Sequence, residues 1–320
     1  MDYKVVFTDN SPDKLDIENQ ILSEVNTQVV DAEQADKPVI DVIRNADGII
    51  SSQFEMDEEI IESLERCQVI SRTGIGVDYI DVDAATDHGI IVANVTDHCI
   101  DEVADHALGF IIALNRHMLP HHEQVLDGLW ERTRFPVQRL DEQTLGLVAF
   151  GSIARALNER AQALGMDVLA YHPHLGDEEI ESKGAIPADL DTLARQSDVI
   201  SLHAPLNDET ENMIDGEFLS KVQSGSYLIN TARGGLVDED ALIDALESGV
   251  LEGAGLDVFR TEPLSEGHPL RERDDVFLTP HVGYYSEQSK TELRHRCAEN
   301  VLAVLNGNIP DRIVNPDVTR

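Results

Sequence analysis

The chain has 320 residues, enough for two ordinary domains, and 42% of them are hydrophobic, which is typical of a folded globular protein. Its 61 acidic and 24 basic residues give a formal net charge of −37, so nucleic acid or an acidic membrane would repel it strongly. No apolar run approaches the roughly 18 residues needed to span a bilayer, and the first residues pass into an apolar strand-like run, which does not fit a secretory signal.

Charge and cysteine usage together predict a cellular setting. The acids are scattered along the chain, and such a surface repels itself at low ionic strength but is screened at molar salt, where the Debye length is about 3 Å. We therefore interpret the chain as a salt-adapted protein, with an acidic mesophilic protein as the alternative. The cysteines Cys67, Cys99 and Cys297 are far apart and odd in number, which predicts no disulfide framework and favours a reducing cytoplasm.

The first hundred residues alternate short apolar runs with amphipathic patterns. Strands are predicted at residues 4–8, 48–51, 69–72 and 90–93, and helices at residues 13–24 and 57–66. This alternation implies a parallel sheet with helices on both faces. After the third strand, Gly74 and Gly76 can turn backbone N–H groups toward an anion, which predicts a carboxylate-binding loop.

Two longer helices are predicted next, at residues 101–116 and 118–129, followed by a loop at residues 130–140. The first has apolar residues at spacings that give one face to bury, namely Val103, Ala107, Phe110, Ile111 and Leu114. The second begins near His117, His121 and His122, whose i, i+4 spacing suits a metal. No cysteine or suitably placed acid completes such a site, so we prefer to interpret these histidines as a polar helix face and predict no metal.

A second strand–helix series follows. Its strands are predicted at residues 144–150, 167–171, 199–202, 227–230, 253–256 and 276–278, and a final helix at residues 286–306. The first junction carries a variant of the GxGxxG dinucleotide fingerprint, with Ala149, Gly151 and Ala154 at the three glycine positions. Gly151 lets the backbone approach a pyrophosphate lying on the helix N-terminus, at Ser152 and Ile153. Ala149 is expected to have a negative φ.

The end of the second of these strands bears on coenzyme choice. An acid normally holds the adenosine ribose about 20 residues after the glycines, but His172 occupies that place here. Losing the carboxylate removes the repulsion that excludes a 2′-phosphate, yet only Arg155 could bind one and residues 177–179 are acidic. The sequence leaves NAD and NADP open and favours NAD.

Three residues in the last third of the chain carry the chemistry: Arg233, Glu262 and His281. A guanidinium can hold a carboxylate in a bidentate fork and polarise an adjacent carbonyl. An imidazole can pass a proton, and a nearby carboxylate favours its charged form. Taken alone, each residue is more simply explained as a member of a surface ion pair or as a core histidine. Together, beside Gly or Pro turns, they predict reduction of a 2-keto acid.

These segments resemble the D-2-hydroxyacid dehydrogenase family, at residues 229–235, 256–263 and 278–283. Residues 99–106 and 279–288 are similar to the branch of that family that includes the C-terminal-binding proteins. The resemblance implies an α/β fold with two Rossmann-like or flavodoxin-like parallel-sheet domains and a cleft between them.

The resemblance also implies a discontinuous domain arrangement. Residues 1–99 and 287–320 would form the substrate-binding domain, and residues 100–286 the dinucleotide-binding Rossmann domain. In the family, helices corresponding to residues 101–129 pack against a two-fold mate, which predicts a homodimer.

Site residues follow from the same resemblance. In the family the Arg binds substrate, the His is the acid/base and the Glu tunes the His. The implied cofactor-binding residues are Gly151, Ser152, Ile153, His172, His203, Ala204, Pro205, Thr210, Thr231, Ala232, Asp257 and Gly283. Asp257 would meet the nicotinamide carboxamide. The implied substrate-binding residues are Arg72, Ile75, Gly76 and Tyr284, with an ordinary salt bridge as the alternative for Arg72.

We therefore predict reversible hydride transfer between a nicotinamide ring and C2 of a small 2-hydroxy or 2-keto acid, with His281 as the acid/base. The alternative is a dinucleotide-sensing interaction protein with little turnover, like the animal corepressors of the same branch. The sequence leaves the substrate open among glyoxylate, hydroxypyruvate, pyruvate, phosphoglycerate-type and bulkier acids.

Overall fold

The computed structural model describes residues 2–12 and 14–318, and its contacts divide the chain into two units. Unit 1 comprises Met1–His98 with Ser286–Arg320, and unit 2 comprises Cys99–Tyr285. Each is built on one parallel sheet, five-stranded in unit 1 and seven-stranded in unit 2. The predicted class, α/β with two parallel-sheet domains, is confirmed.

The strands lie close to their predicted positions. Those of unit 1 are β1 Tyr3–Phe7, β2 Thr27–Asp31, β3 Gly48–Ser51, β4 Val69–Arg72 and β5 Ile91–Ala93. Those of unit 2 are β6 Thr144–Val148, β7 Asp167–Tyr171, β8 Ile186–Pro187, β9 Val199–Leu202, β10 Ser226–Asn230, β11 Leu251–Leu256 and β12 Val276–Leu278. The sheet orders are β2-β1-β3-β4-β5 and β12-β11-β10-β9-β6-β7-β8, with every pairing parallel.

The helices connect these strands and are mostly short. They are α1 Asp16–Leu22, α2 Val39–Ile43, α3 Glu58–Glu62, α4 Val82–Asp87, α5 Ile100–Asn115, α6 Met118–Leu126, α7 Ser152–Ala163, α8 Asp177–Glu181, α9 Leu190–Gln196, α10 Gly216–Leu219, α11 Glu239–Glu247 and α12 Glu287–Leu305. Among the described residues, no helix combines the length and apolarity needed to cross a bilayer.

Acidic side chains start several of these helices. The carboxylates of Asp57, Asp81, Asp189, Asp215 and Asp238 each accept a backbone N–H from the first turn of the helix that follows. Such caps satisfy donors that have no partner within the helix, and each stabilises the fold by about 1 kcal/mol. Part of the acidic composition therefore has a structural use.

Successive side chains of each strand point to opposite faces of its sheet, and each sheet has an apolar core on both faces. In unit 1, Val6, Ile49 and Ile70 pack into one cluster, while their neighbours in sequence pack into another with α12. In unit 2, Leu145 and Leu147 face one cluster and Val148 the opposite one. Side chains alternate because the strand period is two, and both faces are apolar because helices cover both.

Several sequence predictions need correction. The strand expected at 144–150 ends at Val148, and the helix expected at 57–66 is only Glu58–Glu62. β2 and β8 were not predicted, because neither contains a fully buried residue and β8 is only two residues long. The helix expected from Asp13 begins at Asp16, and Asp13 itself lies outside the described residues.

The apolar face of α5 is also used differently from the prediction. It was expected to pack against a second copy, but Phe110 and Ile111 are almost fully buried in a core cluster of unit 2 together with Ile229. The helix lies close over β11, because Gly255 has no side chain and a Cβ there would lie 2.6 Å from the Phe110 ring. Several of the exposed large apolar side chains lie instead on α6 and the following loop.

Candidate active site

The carboxyl ends of the unit 2 strands bring the predicted site residues to one edge of the sheet. Strand order reverses between β6 and β9, and ligands of open parallel sheets bind at the carboxyl ends near such a reversal. The segments that follow β6, β7, β9, β10, β11 and β12 contain Gly151, His172, His203, Arg233, Asp257 and His281 respectively.

His281 and Glu262 form the chemical centre of this edge. His281 Nδ1 lies 2.7 Å from Glu262 Oε2, and the second carboxylate oxygen accepts the Phe259 N–H at 3.0 Å. An ionised carboxylate only accepts, so Nδ1 carries the hydrogen and Nε2 is left as the atom that can exchange a proton. The Tyr284 ring stands edge-on to the imidazole, with centroids 6.4 Å apart.

The environment keeps Glu262 ionised. Burial alone would raise the pKa of its carboxyl group, but the hydrogen bonds from His281 and the Phe259 N–H, with the charges of His281 and Arg233, lower it below the usual value. The carboxylate is therefore charged throughout the neutral pH range, as a partner that favours an imidazolium must be.

Arg233 is presented by a tightly held turn after β10. Asn230, buried at the end of that strand, accepts the Ala232 N–H at 3.0 Å and donates to the Arg233 carbonyl oxygen at 2.9 Å. Sequence reasoning missed Asn230, although a polar residue ending an otherwise apolar strand was a visible signal. Beside it, the Thr231 hydroxyl is buried and has no hydrogen-bond partner among the described residues, so it is available to a ligand at this edge.

A close backbone contact joins the Arg233 turn to the Glu262 segment. Gly234 follows Arg233 directly, and a Cβ at Gly234 would lie 1.9 Å from the carbonyl carbon of Phe259 and 2.3 Å from Arg260 N. Phe259 in turn donates to Glu262. Glycine is therefore required here for the arginine and glutamate segments to meet.

Asp257 anchors the loop that carries His281. Its buried carboxylate accepts the Thr279 hydroxyl at 2.5 Å and the N–H groups of Val282 and Gly283 at 2.9 and 2.8 Å. Between these, His281 has a left-handed backbone, with φ of 54°, and donates its N–H to the Asp257 carbonyl oxygen at 2.8 Å. Three donors to one carboxylate thus fix a strained residue at the site.

A histidine that was not among the predicted site residues belongs to this network. His106 Nε2 lies 2.9 Å from the Thr279 hydroxyl oxygen and 3.6 Å from Asp257 Oδ1. Because the hydroxyl donates to Asp257, it accepts from His106, which fixes the imidazole as the Nε2–H tautomer. A lone histidine within a helix gave no signal for this role.

Replacing Asp257 should destabilise unit 2 measurably. In Asp257→Asn an amide N–H₂ replaces one acceptor and faces a backbone or hydroxyl donor, so we expect a loss of about 1–3 kcal/mol in the free energy of unfolding. Urea denaturation followed by circular dichroism measures the loss. The control is Asp274→Asn, an exposed position, which should leave the midpoint unchanged. Equal midpoints for Asp257→Asn and the parent would contradict the anchor.

The phosphate end of the sheet edge corrects one prediction. Ala149 has a φ of 71°, not the negative value expected for alanine. The turn from β6 into α7 needs a left-handed backbone at this position, whether the residue is glycine or not. For alanine this conformation costs about 1–2 kcal/mol of conformational free energy.

The start of α7 fits a dinucleotide phosphate. Gly151 is the N-cap of α7 and brings no side-chain acceptor to the first turn, and a Cβ there would meet nothing within 4 Å. The N–H groups of Ser152 and Ile153 thus begin a helix whose positive end faces open space.

The position predicted to contact the ribose holds a neutral histidine beside a paired arginine. His172 Nδ1 accepts the His174 N–H at 3.1 Å, so Nε2 carries the hydrogen. The pKa of His172 is lowered, chiefly by burial and then by the nearby His174 and Arg155. The Glu179 carboxylate acts to raise that pKa, and its effect is smaller. Arg155 donates to Glu179 at 2.8 Å, so its charge is already matched.

Further residues predicted to bind the cofactor follow β9. The Ser201 hydroxyl lies 2.9 Å from His203 Nε2, and burial lowers the pKa of His203 to about 4, so its imidazole is neutral. Thr210, expected near the phosphates, donates its hydroxyl to the Pro205 carbonyl oxygen at 2.6 Å and accepts the Asn207 N–H. Its side chain therefore closes its own loop.

In unit 1, the predicted carboxylate-binding loop follows β4. Gly74 has a φ of 148°, and its N–H is directed to the Arg72 carbonyl oxygen at 3.0 Å. The Ile75 carbonyl oxygen accepts from the Asn94 side chain at 2.6 Å. Arg72 is buried, donates to the Thr73 carbonyl oxygen and lies over the Tyr79 ring.

Part of the histidine group near the start of α6 packs on an aromatic side chain. The His117 ring stacks on Phe135 with centroids 5.1 Å apart, and the His121 ring meets Phe135 edge-on. Within residues 2–12 and 14–318, no three His, Cys, Asp or Glu side chains are placed to hold a metal ion.

Comparison with known proteins places this geometry in a family context. Residues 108–283 match the family described as D-isomer specific 2-hydroxyacid dehydrogenase, NAD binding domain. A D-3-phosphoglycerate dehydrogenase of Synechocystis sp. is 37% identical over 321 residues, and a glyoxylate reductase of Thermofilum pendens is 35% identical over 284 residues. The crystal structure of a D-lactate dehydrogenase from Aquifex aeolicus, complexed with NAD and lactic acid, superposes with a TM-score of 0.87 at 28% identity.

Coverage differs between these relatives. The match to the Synechocystis protein includes 98% of this chain but 57% of that protein, so this chain spans little more than half its length. The Thermofilum match includes 87% of this chain and 84% of that protein, and the Aquifex match 97% and 98%.

Proposed function

Because the chain belongs to the D-isomer specific 2-hydroxyacid dehydrogenase family, we propose that it is an NAD(P)-dependent oxidoreductase that interconverts a small 2-keto acid and the corresponding 2-hydroxy acid. The observation that carries this proposal is the 2.7 Å contact between His281 Nδ1 and Glu262, which leaves Nε2 for the substrate. A bound dinucleotide supplies or takes up the hydride.

Each residue of the trio has a distinct task. His281 donates a proton from Nε2 to the carbonyl oxygen during reduction and recovers it during oxidation. Glu262 orients the imidazole and favours its charged form. Arg233 binds the substrate carboxylate through its guanidinium fork and polarises the neighbouring carbonyl. Tyr284, edge-on to His281, bounds the space for the substrate tail.

The residues around the sheet edge fit a dinucleotide. The open N-terminus of α7, at Gly151, Ser152 and Ile153, suits the pyrophosphate. The buried Thr231 hydroxyl, with Ala232 and Gly283, suits the nicotinamide end. His203, Ala204 and Pro205 suit the adenine, and His172 Nε2–H suits a ribose hydroxyl. We leave Thr210 out of the set because its hydroxyl closes its own turn, and Asp257 acts through the loop it anchors.

Turnover of a keto-acid panel tests the proposal. Glyoxylate, hydroxypyruvate, pyruvate, 3-phosphohydroxypyruvate and a bulkier 2-keto acid would each be offered with NADH and with NADPH, at low and at molar salt. We expect oxidation of one reduced dinucleotide that depends on the keto acid. Tight dinucleotide binding without turnover of any acid would favour the interaction-protein alternative. That alternative is not favoured by the relatives, which are named as dehydrogenases and a reductase.

Coenzyme preference should respond to His172. We propose that NAD is preferred, because Arg155 is already paired with Glu179 and the neutral His172 offers a single donor. In His172→Asp, a carboxylate would repel a 2′-phosphate, so kcat/KM for NADPH should fall relative to NADH by at least about tenfold. His174→Asp, an exposed position two residues on, is the matched control and should change the ratio less. If the ratio is unchanged in His172→Asp, this histidine does not contact the ribose.

We further propose a salt-dependent homodimer built on α6 and the loop after it, instead of on α5. Large apolar side chains are exposed there, including Leu126 at 72% and Trp130 at 74%. Several exposed large apolar side chains on one segment are typical of an association surface. At a net charge of −37 per protomer, low ionic strength should drive the copies apart and molar salt should restore association.

Light scattering across a salt series measures this association. We expect the dimer mass at molar salt and a shift toward the monomer on desalting, with Trp130→Asp monomeric at every salt concentration. A parent that is monomeric at molar salt, or a dimer indifferent to both desalting and Trp130→Asp, would contradict the proposal.

The finer setting follows from the same features. We propose a salt-adapted protein of a reducing cytoplasm, supported by the acidic surface and by the free thiols of Cys67, Cys99 and Cys297. Assignment to the branch with the C-terminal-binding proteins rests on residues 99–106 and 279–288 and stays a prediction, as does the substrate-binding role of Arg72, Ile75 and Gly76.

A further inference from the structure

The loop that carries Glu262 is held by a side chain that has no place in the proposed chemistry. Residues 259–272, which we name the strap, run from the end of the Asp257 loop to a short turn at Pro269–Glu272. Phe259 and Leu270 in the strap pack into the same core cluster as Leu236 and Leu242. The start of the strap is thus fixed against the segment from Gly234 into α11.

Glu239, the first residue of α11, binds the strap at two points. Its Oε1 accepts the Arg260 N–H at 2.9 Å, and its Oε2 lies 3.4 Å from His268 Nε2. His268 Nδ1 faces the Leu270 N–H, so Nε2 carries the hydrogen that points to Glu239. Both side chains are about four-fifths buried, with exposed fractions of 20% for Glu239 and 19% for His268.

These contacts lead directly to the reacting pair. Arg260 follows Phe259, whose N–H is bound to Glu262 Oε1 and whose carbonyl carbon would lie 1.9 Å from a Cβ on Gly234. One carboxylate on α11 therefore holds the backbone against which both the Glu262 side chain and the turn presenting Arg233 are placed.

We propose that Glu239 is a positioning residue for catalysis, which holds the strap so that Glu262 stays against His281. The inference rests on the proposed oxidoreductase function, but the contact it describes can be measured without turnover. Glu239 acts through the strap and not on the His281 imidazole itself. The groups that face His281 in unit 2 are Glu262 on Nδ1 and the Tyr284 ring, and Arg233 acts on Glu262 by charge.

Substitutions at Glu239 separate the positioning role from general stability. Glu239→Ala removes both contacts, whereas Glu239→Gln keeps an oxygen for the Arg260 N–H and should rescue most of the activity. Glu239→Asp withdraws the carboxylate by one methylene but keeps its charge. It replaces Glu239→Ala in both measurements if the alanine variant does not fold. Asp240→Ala is the matched control, since it removes an exposed acid from the same helix turn.

Two readouts are needed. The first is amide hydrogen exchange at Phe259 and Arg260, which should accelerate at least about tenfold in Glu239→Ala because one backbone hydrogen bond is lost. The second is the pH dependence of keto-acid reduction. With Glu262 released, kcat should fall about tenfold and the pH above which reduction declines should move down, because the carboxylate that favours the protonated imidazole is displaced. Asp240→Ala should leave both readouts unchanged.

The outcomes are distinguishable. Unchanged exchange in Glu239→Ala and Glu239→Asp would overturn the contact with the strap. Faster exchange with an unmoved kcat and pH profile would overturn the positioning role and leave a structural one. A parent without turnover on any keto acid would instead defeat the proposed function, while the exchange measurement would still decide whether Glu239 holds Glu262.

Discussion

His281→Ala should lower kcat for keto-acid reduction by at least about 10²-fold, the usual contribution of a positioned general acid. The imidazole donates Nδ1–H to Glu262 and directs Nε2 away from it. Initial rates at saturating substrate and dinucleotide measure the change. KM for the dinucleotide should vary little, because the residue acts on the substrate oxygen.

A matched histidine control supports that experiment. His122 is exposed on α6, and His122→Ala should have parental kcat. A His281→Ala variant within a few fold of the parent would show that another group supplies the proton.

Gly234→Ala should abolish most activity while leaving the protein folded. The added methyl would lie 1.9 Å from the Phe259 carbonyl carbon, a contact that only a backbone shift can relieve. That shift moves the Phe259 N–H that holds Glu262 and the turn that presents Arg233. A displacement near 1 Å at a reacting group can cost about 10²-fold, and we expect at least that loss in kcat/KM.

The next residue provides the comparison. A Cβ on Gly235 would meet the end of the Leu206 side chain at 2.9 Å, and a flexible side chain can move aside. Gly235→Ala should therefore retain activity within about tenfold, the cost of modest overpacking. Circular dichroism separates misplacement from unfolding. Parental kcat/KM in Gly234→Ala would show that the two segments do not need their close approach.

Sequence patterns were sufficient for the parts of the fold that are apolar and periodic. The strands at residues 48–51, 69–72, 167–171, 199–202 and 276–278 were predicted to the residue. The first, second and fourth of these strands are buried along their whole length, so burial and local preference agree there. β2 and β8 were missed, since neither contains a fully buried residue and β8 is only two residues long.

The site was predicted in its chemistry but not in its supports. Glu262 and His281 were paired from sequence, and the structure places them in contact. Asn230, His106 and Glu239 were not found. His106 and Glu239 act through a hydroxyl and a backbone group distant in sequence, whereas Asn230 acts on the backbone of the turn that follows it. The φ of Ala149 was predicted to be negative but is positive, since the preference of alanine for negative φ was given more weight than the geometry of the turn.

The attachment of the His281 loop to Asp257 has a consequence for how specificity could change. The loop is held through the N–H groups of Val282 and Gly283 and through the Thr279 hydroxyl, and the side chain of Tyr284 is partly exposed. Backbone bonds are indifferent to which side chain a residue carries. Redesign of the proposed substrate pocket, in the laboratory or by mutation over generations, can therefore exchange the side chain at position 284 while the backbone bonds to Asp257 remain.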